Sequence, residues 1–123
     1  METNSKKILI IEDEKPLARA LELKLTHEGF LVVNISNGEE ALPLLGKEEF
    51  SLIICDLMMP KVDGFQVLEF VKNKNIKTPV VVLTNLSQAE DEKRVRSIGA
   101  SEFFIKSNTS IAKIVDYVKE RVS

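Results

Sequence analysis

Five polar or charged residues follow short apolar runs of the sequence, and their side chains are the ones most suited to chemistry. They are Glu12 and Asp13 after the first run, Asp56 after the third, Thr84 after the fourth and Lys106 after the fifth. A single acidic residue after an apolar run is usually a surface cap. Polar residues at the same position after four of the runs instead indicate a shared site with carboxylates, a hydroxyl and an ammonium group.

The three carboxylates of this set repel one another when they are close. Two like charges about 4 Å apart cost on the order of 1 kcal/mol in water and roughly 4 kcal/mol near a protein surface. Either a bound proton or a bound cation must compensate for this repulsion. An oxygen-only site with room for water suits Mg²⁺, whereas zinc is disfavoured because the set contains no His or Cys.

Alternating strands and helices are needed to bring these residues together. The five apolar runs are short enough to be buried strands, and segments with helical spacing separate them; they cover residues 8–11, 31–35, 52–55, 80–83 and 103–105. Because crossovers between parallel strands are right-handed, the compact arrangement is a doubly wound, five-stranded parallel sheet. This is a (βα)5 architecture of the α/β class. Such sheets bind ligands at the carboxyl ends of their strands, where all five polar residues lie.

Helix signals mark the segments between these runs. The first helix has Pro16 in its first turn and Gly29 beyond its end, which are favourable positions for both residue types. Asp63 and Gln66 predict a capping box at the start of the third helix. Pro43 would lie inside the second helix, where its ring and its missing amide proton should kink or shorten that helix.

The fourth helix has few apolar residues with which to pack. Ser87 and Glu90 predict a capping box at its start, but every residue from 90 to 96 except Val95 is charged. With so few side chains to bury, we expect it to be the least firmly held helix. The fifth helix, by contrast, should bury five apolar residues: Ile111, Ile114, Val115, Val118 and Val122.

Composition excludes several classes of protein. The 123 residues are most simply one domain, residues 1–123, with no effector domain in the chain, and 44% of them are hydrophobic and 29% charged. No apolar run approaches the roughly 20 residues that span a bilayer, and the N-terminus has no secretory signal. The lone Cys55 favours a reducing, cytoplasmic location. The net charge of −2 provides no basic surface for nucleic acid.

Together these residues resemble the receiver domain of two-component response regulators, over essentially the whole chain. The matching features are the acidic pair Glu12-Asp13, Asp56 in "DLMMPKVDG", Thr84, and Lys106 after "GASEFFIK". The resemblance implies a flavodoxin-like strand order, 2-1-3-4-5. It also implies a phosphorylation-dependent switch rather than an enzyme, because the chain promotes its own phosphorylation and dephosphorylation.

By this resemblance, Asp56 accepts a phosphoryl group from a phosphohistidine of a sensor histidine kinase or a phosphotransfer protein. Asp13, Asp56 and the backbone carbonyl of Met58 would bind Mg²⁺ directly, and Glu12 would act through a water molecule. A buried strand that ends at a carboxylate fixes that carboxylate rigidly, which suits phosphoryl transfer because the reaction depends on positioning and charge neutralisation.

The resemblance also implies how the signal leaves the site. Thr84 and Lys106 would contact the new phosphoryl oxygens, and Phe103, three residues before the lysine, would turn inward. The surface formed by the fourth helix, the fifth strand and the fifth helix would then change and bind a downstream protein or effector domain. This surface could also form a phosphorylation-dependent homodimer, and no contact with nucleic acid or membrane is expected.

Three positions depart from the family pattern. The residue after Lys106 is Ser107, where the family usually has a proline after a cis peptide bond, so this bond could be trans. Asn85 occupies a position after Thr84 that is commonly small. Phe103 lacks the hydroxyl of the tyrosine often found there.

Three alternative functions differ from the switch. A pseudo-receiver would keep the fold and the acidic pocket but act as a binding module without phosphorylation, as the departures at Asn85 and Ser107 would allow. A flavodoxin-type flavin protein should have a phosphate-binding loop after the first strand, whereas "IEDEKP" would repel phosphate. A haloacid-dehalogenase-like phosphatase would need a D-x-D motif, which "DLM" does not provide.

Overall fold

Strands and helices alternate along the whole of the computed structural model, which describes residues 6–86 and 88–122. The elements are β1 (Lys7–Ile11), α1 (Lys15–His27), β2 (Leu31–Ile35), α2 (Gly38–Lys47), β3 (Leu52–Cys55), α3 (Gly64–Asn73), β4 (Val80–Thr84), α4 (Ala89–Ser97), β5 (Glu102–Ile105) and α5 (Ile111–Val122). A short 3₁₀ turn, Lys106–Asn108, follows β5. Every predicted strand is therefore present, with ends that differ by at most one residue from those predicted.

The five strands form one parallel sheet in the order β2-β1-β3-β4-β5, as predicted. Ile11 at the end of β1 pairs with Cys55 at the end of β3, and Thr84 at the end of β4 pairs with Ile105. The strand order reverses direction between β1 and β3. The residues that follow these two strands therefore lie at the switch point, where doubly wound sheets bind their ligands.

Helices cover both faces of the sheet, which explains the uninterrupted apolar runs. In β1, Leu9 and Ile11 pack with α2 and α3, whereas Ile8 and Ile10 face α1 and α5. All four side chains are fully buried. Successive residues of a strand point to opposite faces, so a strand covered on both faces must be apolar at every position.

Two of the predicted helix ends are confirmed. Pro16 lies in the first turn of α1, and Gly29 follows the helix with a φ of 99°, a conformation that favours glycine. At α3, the Gln66 amide donates to the Asp63 side chain and the Gln66 side chain accepts from the Asp63 amide, each at 2.9 Å. This capping box fixes the start of α3, whose N-cap Asp63 lies seven residues after Asp56.

The predictions for Pro43 and Ile111 have different outcomes. Pro43 lies inside α2, as predicted, and the helix continues to Lys47. Pro43 is exposed, so water can replace the hydrogen bond that its nitrogen cannot donate. Ile111 is only partly buried, because it begins α5 at the rim of the apolar layer.

The fourth helix is sparsely anchored, as the sequence predicted. Gln88 is the N-cap of α4 and its side chain makes no capping hydrogen bond, while the predicted cap, Ser87, lies outside the described residues. Val95 is the one buried residue of α4. Within residues 6–86 and 88–122, no helix combines the length and the apolar character needed to cross a membrane.

Candidate phosphoacceptor site

The carboxyl ends of β1 and β3 bring three carboxylates together. Glu12 and Asp13 directly follow β1, and Asp56 directly follows β3. One oxygen from each of these side chains lies within 4.8 Å of the other two. The side chains of Glu12 and Asp56 are only 1% and 3% exposed, whereas Asp13 is exposed. The group is thus open to solvent on one side only.

The ammonium group of Lys106, which follows the edge strand β5, lies beside these carboxylates. Lys106 begins the 3₁₀ turn after β5, and its side chain is 9% exposed. Its Nζ atom donates to Glu12 Oε2 at 3.0 Å and to Asp56 Oδ2 at 3.3 Å. It also lies 3.5 Å from Glu14 Oε2, an ion pair that the sequence reasoning did not identify. The acidic run "EDE" at residues 12–14 is the signal that could have indicated it.

The backbone around Asp56 is fixed by local contacts. The Asp56 amide donates to the Ile11 carbonyl at 3.0 Å, and the Met58 amide donates to Asp56 Oδ1 at 3.2 Å. Gly64, the first residue of α3, packs so closely that any side chain there would collide with the Asp56 carbonyl oxygen and the Leu57 backbone. The loop between Asp56 and α3 therefore requires glycine at this position.

Burial changes the acidity of all three inner groups. Burial raises the pKa of Glu12 from 4.5 to about 7, although the Glu14 amide and the Lys106 ammonium partly oppose this change. The pKa of Asp56 is also raised by burial, against the opposing charge of Lys106. For Lys106, burial lowers the pKa, but the hydrogen bond to Glu12 and the charge of Asp56 outweigh it, so the net shift is upward. One ammonium group thus leaves the carboxylates incompletely neutralised.

The donor set fits a divalent cation that prefers oxygen. Glu12 Oε1 is buried and has no hydrogen-bond partner among the described residues. An unpaired carboxylate oxygen is costly to bury, so this atom fits a role as acceptor toward a bound cation or cation-bound water. Because the group offers only carboxylate oxygens and is open on the side of Asp13, its chemistry suits Mg²⁺.

Comparison with known proteins identifies the family. The family model described as "Response regulator receiver domain" matches residues 8–119. The chain belongs to this family. The general function of receiver domains is that of a phosphorylation-dependent switch, and the five-stranded fold described above is the receiver fold.

Similar receiver domains occur in proteins of different kinds. The chain is 41% identical over 106 residues to "Probable transcriptional regulator ycf27" of Porphyra purpurea, a match that covers 86% of this chain and 43% of that protein. The receiver domain of the Francisella response regulator 1452 is similar in structure, with a TM-score of 0.90 and 28% identity, covering 96% of this chain and 97% of that chain. The signal receiver domain of a signal transduction histidine kinase from Syntrophus aciditrophicus gives a TM-score of 0.85 and 31% identity, covering 96% and 90%. The chain thus spans less than half the length of the curated relative.

Two predicted site residues of the receiver domain, Thr84 and Phe103, are at least partly buried in this structure. Thr84 is buried at the end of β4, and its Oγ1 accepts from the Leu86 amide at 3.2 Å. Phe103 is partly buried against the apolar layer under α2, α3 and α4. Within the described part of the chain, no hydrogen bond joins Thr84 to Asp56 or Lys106.

The departures from the family pattern do not prevent Lys106 from contacting Asp56 in this receiver domain. The Lys106–Ser107 peptide bond is trans, as are all peptide bonds of the described residues. Asn85 and Met58 are both exposed beside the site, Met58 by 59%. Lys106 nevertheless contacts Asp56, so a trans bond at this position is compatible with the lysine's contact.

Proposed function

We propose that residues 1–123 act as a single receiver domain in which Asp56 is the phosphoacceptor. The observation that carries this proposal is the position of the Lys106 ammonium, 3.3 Å from the Asp56 carboxylate, at a point where Glu12 and Asp13 also converge. A surface cap would need neither the buried lysine nor the acidic neighbours. Cytoplasmic location follows as part of the proposal from the lone, buried Cys55.

We assign the group formed by Glu12, Asp13 and Asp56 as a binding site for Mg²⁺. Asp13, Asp56 and the backbone carbonyl of Met58 would be direct ligands, and Glu12 would act through a water molecule. When bound, the ion supplies the positive charge that offsets both the carboxylates and the incoming phosphoryl group. The unpaired Glu12 Oε1 supports this assignment.

The chain's own residues then position the reaction. An Asp56 carboxylate oxygen forms a bond to phosphorus while the bond from phosphorus to the donor's imidazole nitrogen breaks, and that nitrogen keeps the electron pair. The donor is the phosphohistidine of a sensor histidine kinase or a phosphotransfer protein. Lys106 holds positive charge beside the phosphoryl oxygens throughout. Hydrolysis then regenerates Asp56: a water molecule attacks phosphorus, the bond from phosphorus to the Asp56 oxygen breaks, and inorganic phosphate leaves. The domain thus promotes its own phosphorylation and dephosphorylation.

The added charge changes the surface beyond the site. Phosphorylation of a carboxylate adds strong acceptor oxygens, to which the Thr84 hydroxyl and Lys106 can donate. Movement of Thr84 would leave space for Phe103 to turn inward, and the α4-β5-α5 surface would change with it. A downstream protein or effector domain, or a second copy of the domain, would bind this surface.

Intact-mass measurement after incubation with acetyl phosphate and Mg²⁺ tests the proposal. We expect one added phosphoryl group on the native chain, none on Asp56→Asn, and one on the matched control Asp116→Asn, which removes an exposed carboxylate from α5. Absence of the added group in the native chain would contradict the proposal. It would favour a pseudo-receiver that binds partners without phosphorylation.

A further inference from the structure

A cavity lies at the end of the sheet opposite to the candidate phosphoacceptor site. It has a volume of about 260 Å³ and is bounded by the end of α3, the α3–β4 loop, the end of α4 and the last turn of α5. Val80, which begins β4, lines the cavity, whereas Thr84 ends the same strand near Asp56. Four residue steps along a strand span about 13 Å, so the cavity is separate from the site described above.

The charged residues that line this cavity are all cations: Lys72, Lys77 and Arg121. This local excess of cations differs from the chain as a whole, which has 17 Lys and Arg against 19 Asp and Glu. Two other surface depressions are lined by carboxylates as well as cations: Glu22 and Glu40 contribute to one, and Glu48 and Glu49 line the other beside Lys77 itself. The cavity differs from these two depressions because no carboxylate lines it.

The three cations have no acidic partner within the described part of the chain. Other cations form ion pairs there, such as Lys7 with Glu48 at 2.7 Å and Lys119 with Glu28 at 3.1 Å. The three cations of the cavity come from α3, the α3–β4 loop and α5. None of them forms an ion pair with another described residue. Spread around the rim, they suit several spaced carboxylates better than one compact anion, and an arginine binds a carboxylate through two parallel hydrogen bonds.

Part of the wall between the cations is apolar. Ile76 and Ile98, both partly buried, form this part, while Thr78 and Ser101 add polar side chains. Gly99, with a φ of 109°, leaves open space at the mouth of the cavity. The volume is below the roughly 300–1,000 Å³ of sites for drug-sized ligands, so the cavity has room for one or two side chains.

We propose that this cavity docks an acidic protein segment in which one apolar side chain is flanked by Asp or Glu residues. The apolar side chain would lie against Ile76 and Ile98, and the flanking carboxylates would pair with Lys72, Lys77 and Arg121. A bare phosphate would use the cations but leave the apolar wall uncovered. The segment fits both properties of the surface, and its binding does not depend on phosphorylation of Asp56.

Titration of isotope-labelled protein with the acetylated, amidated pentapeptide Asp-Glu-Leu-Asp-Glu, followed by amide NMR, tests this proposal. We expect shifts confined to residues 68–80, 98–101 and 118–122, and a dissociation constant at least about tenfold weaker for the triple variant Lys72→Glu, Lys77→Glu, Arg121→Glu. The matched triple variant Lys24→Glu, Lys47→Glu, Lys93→Glu removes the same charge from exposed lysines elsewhere and should bind within about twofold of the native chain. Thermal unfolding of both variants establishes that they are folded.

Two further probes distinguish the ligand classes. Replacing Leu in the peptide by Ser should weaken binding about tenfold, because the apolar contact is lost. Inorganic phosphate should bind far more weakly than the peptide. Equal binding by the two triple variants, by the Ser peptide or by phosphate would overturn the proposal.

Discussion

The two oxygens of the Asp56 carboxylate have different partners. Oδ1 accepts from the Met58 amide and Oδ2 accepts from Lys106, so the orientation of the carboxylate is fixed before any phosphoryl donor binds. The backbone beneath it is fixed as well, because Gly64 packs directly against the Asp56 carbonyl. Rigid positioning of a nucleophile lowers the entropic cost of reaching the transition state.

We expect Gly64→Ala to destabilise the fold by about 1–3 kcal/mol, because the added methyl group collides with backbone atoms that cannot move aside. Phosphorylation of Asp56 should slow as the loop shifts. Gly46→Ala is the matched control, since a side chain at Gly46, inside α2, meets nothing within 4 Å. It should stabilise the fold by about 0.5–1 kcal/mol. Urea unfolding measures both, and equal effects of the two substitutions would contradict this account.

Residue types at strand ends and the contact between Lys106 and Asp56 could be predicted from the sequence, whereas other side-chain contacts could not. The apolar run before Asp56 indicates a strand end because burial on both faces leaves no other pattern. The contact between Glu14 and Lys106 depends on the direction of two long side chains, which no pattern specifies. The cavity lined by Lys72 and Arg121 likewise joins residues far apart in sequence.

At the scale of elements, α4 is attached through one buried side chain, Val95, and through two arginines. The Arg94 guanidinium lies 3.9 Å from the centre of the Phe65 ring on α3, and Arg96 Nη2 lies 2.7 Å from Glu102 Oε1 on β5. Val95, between them, is the single buried side chain. Exposed contacts of this kind contribute about 0.5–1 kcal/mol each, so α4 can shift at modest cost.

The Arg96 contact gives a prediction about pH. Burial alone would raise the pKa of Glu102, but hydrogen bonds from the Phe103 amide and Arg96 outweigh it and lower that pKa below its ordinary 4.5. A lowered carboxyl pKa means stability that is present above the unfolded value and lost as the pH falls through the folded value. Arg96→Ala should therefore destabilise the fold at neutral pH by at most about 1 kcal/mol, since the pair is partly exposed and screened by solvent.

This difference between Arg96→Ala and the native chain should shrink as the pH falls below 4.5. Urea unfolding at neutral and acidic pH measures it. Lys93→Ala, an exposed neighbour on α4 without an ion pair in the described part of the chain, should show no such change. A difference that stays constant with pH would show that Arg96 acts through packing rather than through Glu102.

Element types were predicted more reliably than element ends. Strands covered on both faces must be apolar throughout, so their limits are visible in the sequence. At α4, Gln88 is the N-cap, and the predicted cap, Ser87, lies outside the described residues. At α2, Pro43 lies inside the helix as predicted, and the helix continues to Lys47.

At the scale of the whole molecule, the free energy of apolar packing opposes the repulsion between the carboxylates at one end of the sheet. The strands and helices bury two apolar layers, one under α2, α3 and α4 and one under α1 and α5. This packing holds Glu12, Asp13 and Asp56 together in spite of their repulsion. A bound cation should therefore stabilise the entire fold.

We expect Mg²⁺ to raise the melting temperature of the native chain, and a chelator to reverse the effect. A ligand that binds only the folded state at about 100 times its dissociation constant stabilises by roughly 2.7 kcal/mol. Asp13→Asn should abolish most of this gain, because Asp13 is the exposed member of the acidic group and its loss leaves the core intact. Asp116→Asn should retain the gain. Equal responses from the two variants would argue against a cation at this site.

The pairing of Lys106 with Glu12 joins residues 94 positions apart, across strands that belong to opposite ends of the chain. During synthesis on the ribosome, Glu12 and Asp56 emerge before Lys106, because they precede it in the sequence. A nascent chain that has produced four strands would hold Asp56 without the counter-charge that accompanies it in the finished domain. Under the proposed function, we expect an Asp56 side chain without Lys106 beside it to accept a phosphoryl group poorly.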